Sequence, residues 1–154
     1  MKYLFQTTDQ IAPVILRVFL AVVMFPHGAQ KLLGWWGGGG FEATMKGFTE
    51  GMGIPAPFAL LAIVAEFFGP IALVLGLLTR VAAFGIGTVI SVAAIKVALP
   101  HGFFMNWYGT QKGEGYQFHL LMLGMSLALM FVGGGRWSLD GWISEKTKKG
   151  KEQV

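Results

Sequence analysis

The sequence predicts an all-α integral membrane protein, an antiparallel bundle of four membrane-spanning helices with both termini cytoplasmic. Three observations carry this prediction. Hydrophobic residues make up 54% of the chain and charged residues 13%, whereas about a quarter of a soluble domain is charged. The apolar residues fall in four runs, each near the ~20 residues that cross a hydrocarbon core. The charges collect between those runs, and four lysines crowd the last eleven residues. A chain of 154 residues has room for a single domain, here residues 1–154.

The first predicted span covers residues 11–33. Asp9 or Gln10 can cap it, and Pro13 suits a first turn, where the missing N–H is not needed. Pro26 predicts a kink. The run stops at Gly34-Trp35-Trp36 and the glycines Gly37 to Gly40, a stretch no regular helix favours. Arg17 in the middle of this run, with no small-residue site after it, argues against a cleaved signal peptide. The connection that follows carries Phe41, Phe48 and a weakly helical stretch over residues 42–51. Two tryptophans at the helix end suit an interfacial aromatic belt.

The second span, residues 57–78, carries one charge, Glu66. Only Leu78-Thr79-Arg80 separates it from the third, residues 81–99, so the two form a tight antiparallel hairpin. The third span is rich in Gly, Ala and Ser, which let helix backbones approach closely in lipid, and Lys96 near its end can snorkel outward. A loop over residues 101–115 leads to the fourth span, residues 116–132. That span ends at Gly133-Gly134-Gly135, ahead of a basic amphipathic tail, residues 136–154. Arg80, Arg136, Lys146, Lys148, Lys149 and Lys151 share one side, which the positive-inside rule places in the cytoplasm. The two longer loops then lie on the outer face, although Lys31, Lys46, Lys96 and Lys112 lean that way.

Composition narrows the chemistry. Without cysteine there is no disulfide, thiolate site or dithiol motif, so a redox role needs a borrowed cofactor or partner. There is no basic stripe for nucleic acid. His27, His101 and His119 sit on three different helix ends without ligand spacing, which predicts no metal site. The four-glycine run lacks the lysine of a phosphate loop and reads as a hinge over the outer mouth.

Polar residues fall on helical stripes: Arg17, Met24, Gly28 and Lys31 in the first span, then Glu66, Leu73 and Arg80, then His119, Met122, Ser126 and Met130. Bundles turn such stripes inward. Arg17 lies roughly 9 Å and Glu66 roughly 18 Å from the cytoplasmic ends of their helices, counted at the helical rise. This gap is within an arginine's reach, so an Arg17–Glu66 buried pair is expected. It would serve either to fix helix register or to handle a proton or orient a ligand. His27, Lys31, His101 and Glu114, with Trp35 and Trp107, fall near the outer ends of the spans and are the ligand-binding candidates. Histidines and a carboxylate beside aromatic rings suit a quinone head, which needs hydrogen-bond donors and a proton path. Ordinary polarity at headgroup depth accounts for the same residues.

Taken together these segments resemble the DoxX family. The carrying features are Arg17, His27-Gly28-Ala29-Gln30-Lys31 running into the tryptophans and glycines, and Glu66 ahead of the Gly69 to Ala83 stretch. His101-Gly102-Phe103-Phe104, Glu114 between its glycines, and the closing Gly133 to Asp140 segment complete them. The resemblance implies a multi-pass, four-helix protein of the bacterial inner membrane. It is similar to small subunits of a thiosulfate:quinone oxidoreductase, and to membrane partners of superoxide dismutase and a sulfurtransferase in oxidative-stress complexes. Other relatives are oxidoreductases linked to quinone and catechol resistance, and distant eukaryotic ones act in chaperone-like or cargo-binding roles. Arg17, His27, Lys31, Glu66, Arg80, His101 and Glu114 match the family's recurring polar positions, and no catalytic residue carries over. Lys96 and the four-glycine run have no place in the pattern. The expectation is a redox-associated membrane protein that binds a quinone or similar small apolar ligand and holds no covalent cofactor, alone, as a homo-oligomer or as a subunit of an oxidoreductase complex. Whether it is itself an enzyme stays open. The alternatives are a non-enzymatic scaffold for other proteins and, less favoured for so few spans, a transporter.

Overall fold

A computed structural model describes the backbone of residues 2–152 and the side chains of residues 4–147. Lys148, Lys149 and Lys151, half of the residues expected to mark the basic side, lie outside the described side chains, and so does the end of the tail.

Among the described residues the chain is helical and has no strand. A short α1 (Lys2–Phe5) precedes α2 (Ala12–Leu33). α3 (Gly40–Lys46) and a wide π turn (Gly47–Gly51) fill the first connection. α4 (Ala56–Leu75) and α5 (Thr79–Ala93) follow, and α5 runs on through π and 3-10 turns to His101. α6 (Gln117–Val132) and the tail helix α7 (Leu139–Glu152) complete the chain.

α2, α4 and α5 with its extension are long and apolar enough to cross a membrane, and α6 is a shorter apolar helix. All four pack around one core, in which Leu20, Met24, Leu73, Ile86, Met122 and Leu129 meet. The outward faces are apolar too: Phe19, Phe68, Phe84, Leu121 and Phe131 are all exposed. Arg17 and Glu66 are buried, 1% and 3% exposed. This is the inverse of a soluble bundle, with charge inside and hydrocarbon outside, and it belongs in lipid. The chain is therefore a membrane protein.

Local chemistry sets the breaks. Pro13 and Pro57 occupy the first turns of α2 and α4. α4 ends three residues before the expected position 78, because Gly76 takes a left-handed conformation (φ 63°) that closes the helix. Its N–H bonds Leu73 O, and that of Leu77 bonds Ala72 O, at 3.1 and 2.9 Å, the paired bonds of a Schellman cap. Thr79 and Arg80, expected in the turn, thus form the first turn of α5. The hairpin itself is as expected, with α5 packed along α4.

One expectation about a flexible part is corrected. The glycine run is not an open hinge: Gly38 lies against the end of α2, where an added Cβ would sit 2.3 Å from Gln30 O. The small residues of α5 pack closely on its neighbours, as expected: an added Cβ at Gly85 would meet Ala65 of α4, and one at Gly87 would meet Ser126 of α6, each at 3.2 Å. α1 packs on α7, so both ends of the chain meet at the same end of the bundle. Lys96 reaches outward and donates to Met52 O at 3.3 Å, tying the far end of α5 to the first connection.

Candidate functional site

Two polar layers lie near opposite ends of the bundle. At the end where the termini meet, the ionic groups serve backbone. Arg17 Nη1 donates to Leu73 O and Val74 O at 3.0 and 3.3 Å. Its Nη2 donates to Arg136 O and Trp137 O at 3.3 and 3.2 Å. The guanidinium therefore sits on the last carbonyls of α4, where the helix dipole favours a cation, and joins them to the turn leading into α7. Arg80 does the same for α6, donating to Met130 O and Phe131 O at 2.9 and 3.0 Å, and also to Gln6 O. Asp140, 1% exposed, accepts from Leu78 N and Thr79 N at 2.7 and 2.9 Å. It caps the start of α5, which has no capping side chain of its own. Outside the spans, Arg136 clamps Asp9 at 2.8 and 3.0 Å. That hydrogen bond holds the Asp9 carboxyl below the usual carboxylate range and raises the Arg136 guanidinium.

This geometry corrects the expected Arg17–Glu66 pair. α2 and α4 touch where Gly28 faces the backbone of Glu66. Gly28 lies eleven residues beyond Arg17, about 16 Å at the helical rise. The side chains also diverge, because each leans toward the N-terminus of its own helix and the two helices are antiparallel. Arg17 leans toward the termini and Glu66 away from them.

The same rule brings Lys31 to Glu66. Lys31 leans back down α2 as Glu66 rises from α4, and the ammonium pairs with the carboxylate at hydrogen-bond range. Glu66 is nearly sealed, with 5% of its side chain exposed, and Lys31 keeps 24%. Lys31 Nζ also reaches His27 O at 3.5 Å. His27 lies one turn before Lys31 on α2, and His119 lies in the first turn of α6. His119 was not among the expected ligand-binding residues, although its stripe with Met122 and Ser126 pointed inward. Its Nδ1 is buried without a hydrogen-bond partner, a costly state unless something else supplies the bond. A small cavity of about 40 Å³ beside it is lined by Ser91, Tyr116 and Leu123 among others, large enough for a water. Phe25 of α2 and Phe67 of α4 pack with their ring centres 5.6 Å apart.

The remaining candidates lie elsewhere. Glu114 accepts from Asn106 N at 2.7 Å and closes the loop, helped by Asn106 and Gln111 bonding each other at 3.0 and 3.1 Å. The His101 ring lies over Gly113, where a Cβ would fall 2.5 Å from it. Trp35 packs edge-on against Trp36 and is half exposed, and Trp107 is largely exposed. No described contact joins His101, Glu114, Trp35 or Trp107 to the Lys31–Glu66 pair. No group of His, Asp and Glu suited to a metal occurs among the described residues.

The Lys31–Glu66 pair, with the His27 carbonyl at Lys31, offers a donor and a carboxylate between α2 and α4. The DoxX family model matches residues 12–99, more than half of the chain. That stretch holds α2, α3, α4 and α5, with Arg17, His27, Lys31, Glu66 and Arg80. No curated protein and no solved structure matches the chain.

Proposed function

The chain belongs to the DoxX family, and from that premise we propose that it binds a quinone-class ligand at the Lys31–Glu66 cluster and works as a subunit of a membrane redox complex. In this reading α6 is a fourth span, the termini face the cytoplasm, and the membrane is the bacterial inner membrane. α6 is short for a full crossing, which locally thinned lipid or flanking aromatic residues can accommodate.

The observation that carries the reading is the buried Lys31–Glu66 pair; the unpartnered Nδ1 of His119 on α6 offers a further polar group. Quinone carbonyls accept hydrogen bonds, and Lys31 and His119 are donors of the right kind. Taking up two electrons and two protons turns the quinone into a quinol. Glu66, His27 and His119 are groups able to pass protons to such a ligand. The chain has no cysteine, so the electrons would come from a partner protein.

The test is titration of the purified protein with a tail-less benzoquinone, followed through the fluorescence of Trp35 and Trp36. Saturation in the micromolar range, weakened tenfold or more by Lys31→Met, is the expected result. A linear, non-saturating response in the native protein would rule the reading out.

A further inference from the structure

Residues 102–116 join the extension of α5 to α6 and turn three large aromatic side chains outward. Phe104, Trp107 and Tyr108 are 67%, 77% and 91% exposed. They do not sit on a slack chain. Asn106 and Gln111 bond each other twice, and Glu114 accepts from Asn106 N. Trp107 N and Gly109 N bond Met105 O and Asn106 O within the turn. At the neck, Tyr116 N and Gln117 N donate to Gly102 O and Phe103 O at 3.0 and 2.9 Å. Phe103 packs edge-on against both Phe104 and Tyr116. The turn thus satisfies much of its own backbone while its aromatic rings stand outside.

The height of this turn is set by α5, whose apolar stretch, long enough to cross a membrane, runs from Thr79 to His101. The turn begins where that stretch ends. Next to it, exposed apolar residues face lipid on both helices: Ile95 and Leu99 on the extension of α5, and Leu120 and Leu121 on α6. The bonds at the neck hold Phe103 and Phe104 beside the first turn of α6, so the aromatic turn continues this lipid-facing surface. Between residues 102 and 116 the charged residues are Lys112 and Glu114, one of each sign, which leaves no electrostatic handle for a charged partner. Tyrosine and tryptophan combine an apolar body with a polar tip and favour the zone between headgroups and acyl chains. A backbone that bonds to itself is also what poorly hydrated surroundings require.

We propose that the 103–108 turn is a membrane-interface anchor. Its rings enter the headgroup and upper acyl layer of the surrounding bilayer, at the end of the bundle opposite the chain termini. α6, about 24 Å long at the helical rise, falls short of a ~30 Å hydrocarbon core, and the anchor fills the part of that leaflet that α6 leaves. Trp107, a ligand-binding candidate in the sequence, then binds lipid. The inference goes beyond the quinone reading and does not rest on it.

The chain has no cysteine, so single cysteines can carry a nitroxide label on the full-length protein in phosphatidylcholine nanodiscs. The readout is accessibility to oxygen, which concentrates in lipid, against a water-soluble nickel chelate. Phe104→Cys and Tyr108→Cys are expected to favour oxygen several-fold more than Lys112→Cys, and to approach Leu121→Cys on the lipid face of α6. Preference for the chelate at 104 and 108, equal to that at 112, would place the turn in water and overturn the proposal. Protection from both reagents would mean that protein covers the turn, a second copy of the chain for instance, and would overturn it as well. Each label replaces an anchoring ring, so the native Trp107 supplies an independent check. Lipid brominated near the top of its acyl chains is expected to quench a fluorescence component that Trp107→Phe removes, and aqueous iodide is expected to leave that component unchanged. A Trp107 component quenched by iodide and untouched by brominated lipid would count equally against the anchor.

Discussion

Gly28 of α2 lies so close to Glu66 of α4 that a Cβ at Gly28 would stand 2.2 Å from the Glu66 carbonyl oxygen. Two backbones in contact leave no side chain free to yield. Gly28→Ala must therefore push the helices apart at the level that seats Lys31 against Glu66. A loss of about 1–3 kcal/mol is expected, the usual cost of overpacking, seen as a lower melting temperature in detergent. An unchanged melting temperature would show that the helices do not meet there.

The Lys31–Glu66 pair predicts an asymmetry. Glu66 is nearly sealed and Lys31 is partly open to its surroundings. Lys31→Met strands a buried carboxylate and should cost about 3 kcal/mol or more, whereas Glu66→Gln leaves a lysine able to reach outward and should cost less. The double variant Lys31→Met/Glu66→Gln should regain most of the loss. Thermal melts of the three variants decide it, and equal, additive losses would argue against a coupled pair.

Arg17 bonds four carbonyls from two segments. A lysine keeps the charge and lacks the planar fork. Arg17→Lys should therefore hold the end of α4 and release the turn before α7, at a cost on the order of 2 kcal/mol. Faster protease cleavage near residues 133–138, with the bundle still folded, is the expected readout.

Asp140 joins α7 to the start of α5 through Leu78 N and Thr79 N. Asp140→Ala removes a cap worth about 1 kcal/mol and leaves two amides without their acceptor. Hydrogen exchange at positions 78 and 79 should accelerate, and Asp140→Asn, which keeps one acceptor oxygen, should restore part of the protection.

The Asp9–Arg136 clamp predicts a pH effect. The folded-state pKa of Asp9 is depressed by the hydrogen bond from Arg136. Its contribution is thus complete above the ordinary carboxylate value and disappears as pH falls through the depressed one. Arg136 is raised, so its share would be lost only at extreme alkaline pH. The pair is exposed, and the effect should be small and screened by salt. Acidification below the carboxylate range should raise hydrogen exchange over residues 6–10 in the native protein and change it little in Asp9→Asn.

Much of the architecture was legible in the sequence because a single physical signal, apolar run length, dominates in lipid. The helix limits at residues 33 and 132 followed from glycine, whereas the third span loosens into π and 3-10 turns after Ala93 and passes Pro100 to reach His101. The limit at Gly76 was missed because Leu77 and Leu78 continue the apolar run and only the left-handed backbone stops the helix. For the candidate site, Lys31, Glu66 and His27 were all named, but Glu66 was given the wrong partner. Glu66 was counted three residues too deep because α4 ends at Leu75, and neither the lean of each side chain nor the height at which the helices cross could be counted along the chain. His119 could have been added from its inward stripe. Asp140, buried in a segment that reads as polar tail, gave no signal at all.

By itself, then, the sequence determined the solvent around this chain, the apolar helices and the need to bury their few charges, because transfer into hydrocarbon is a property of residues counted along a chain. Only the tertiary structure decided which charge meets which. Pairing depends on the vertical register of antiparallel helices, seen in the contact of Gly28 with the Glu66 backbone and in the reach of Arg17 to the end of α4, and a stripe on one helix does not say which level of its neighbour it meets.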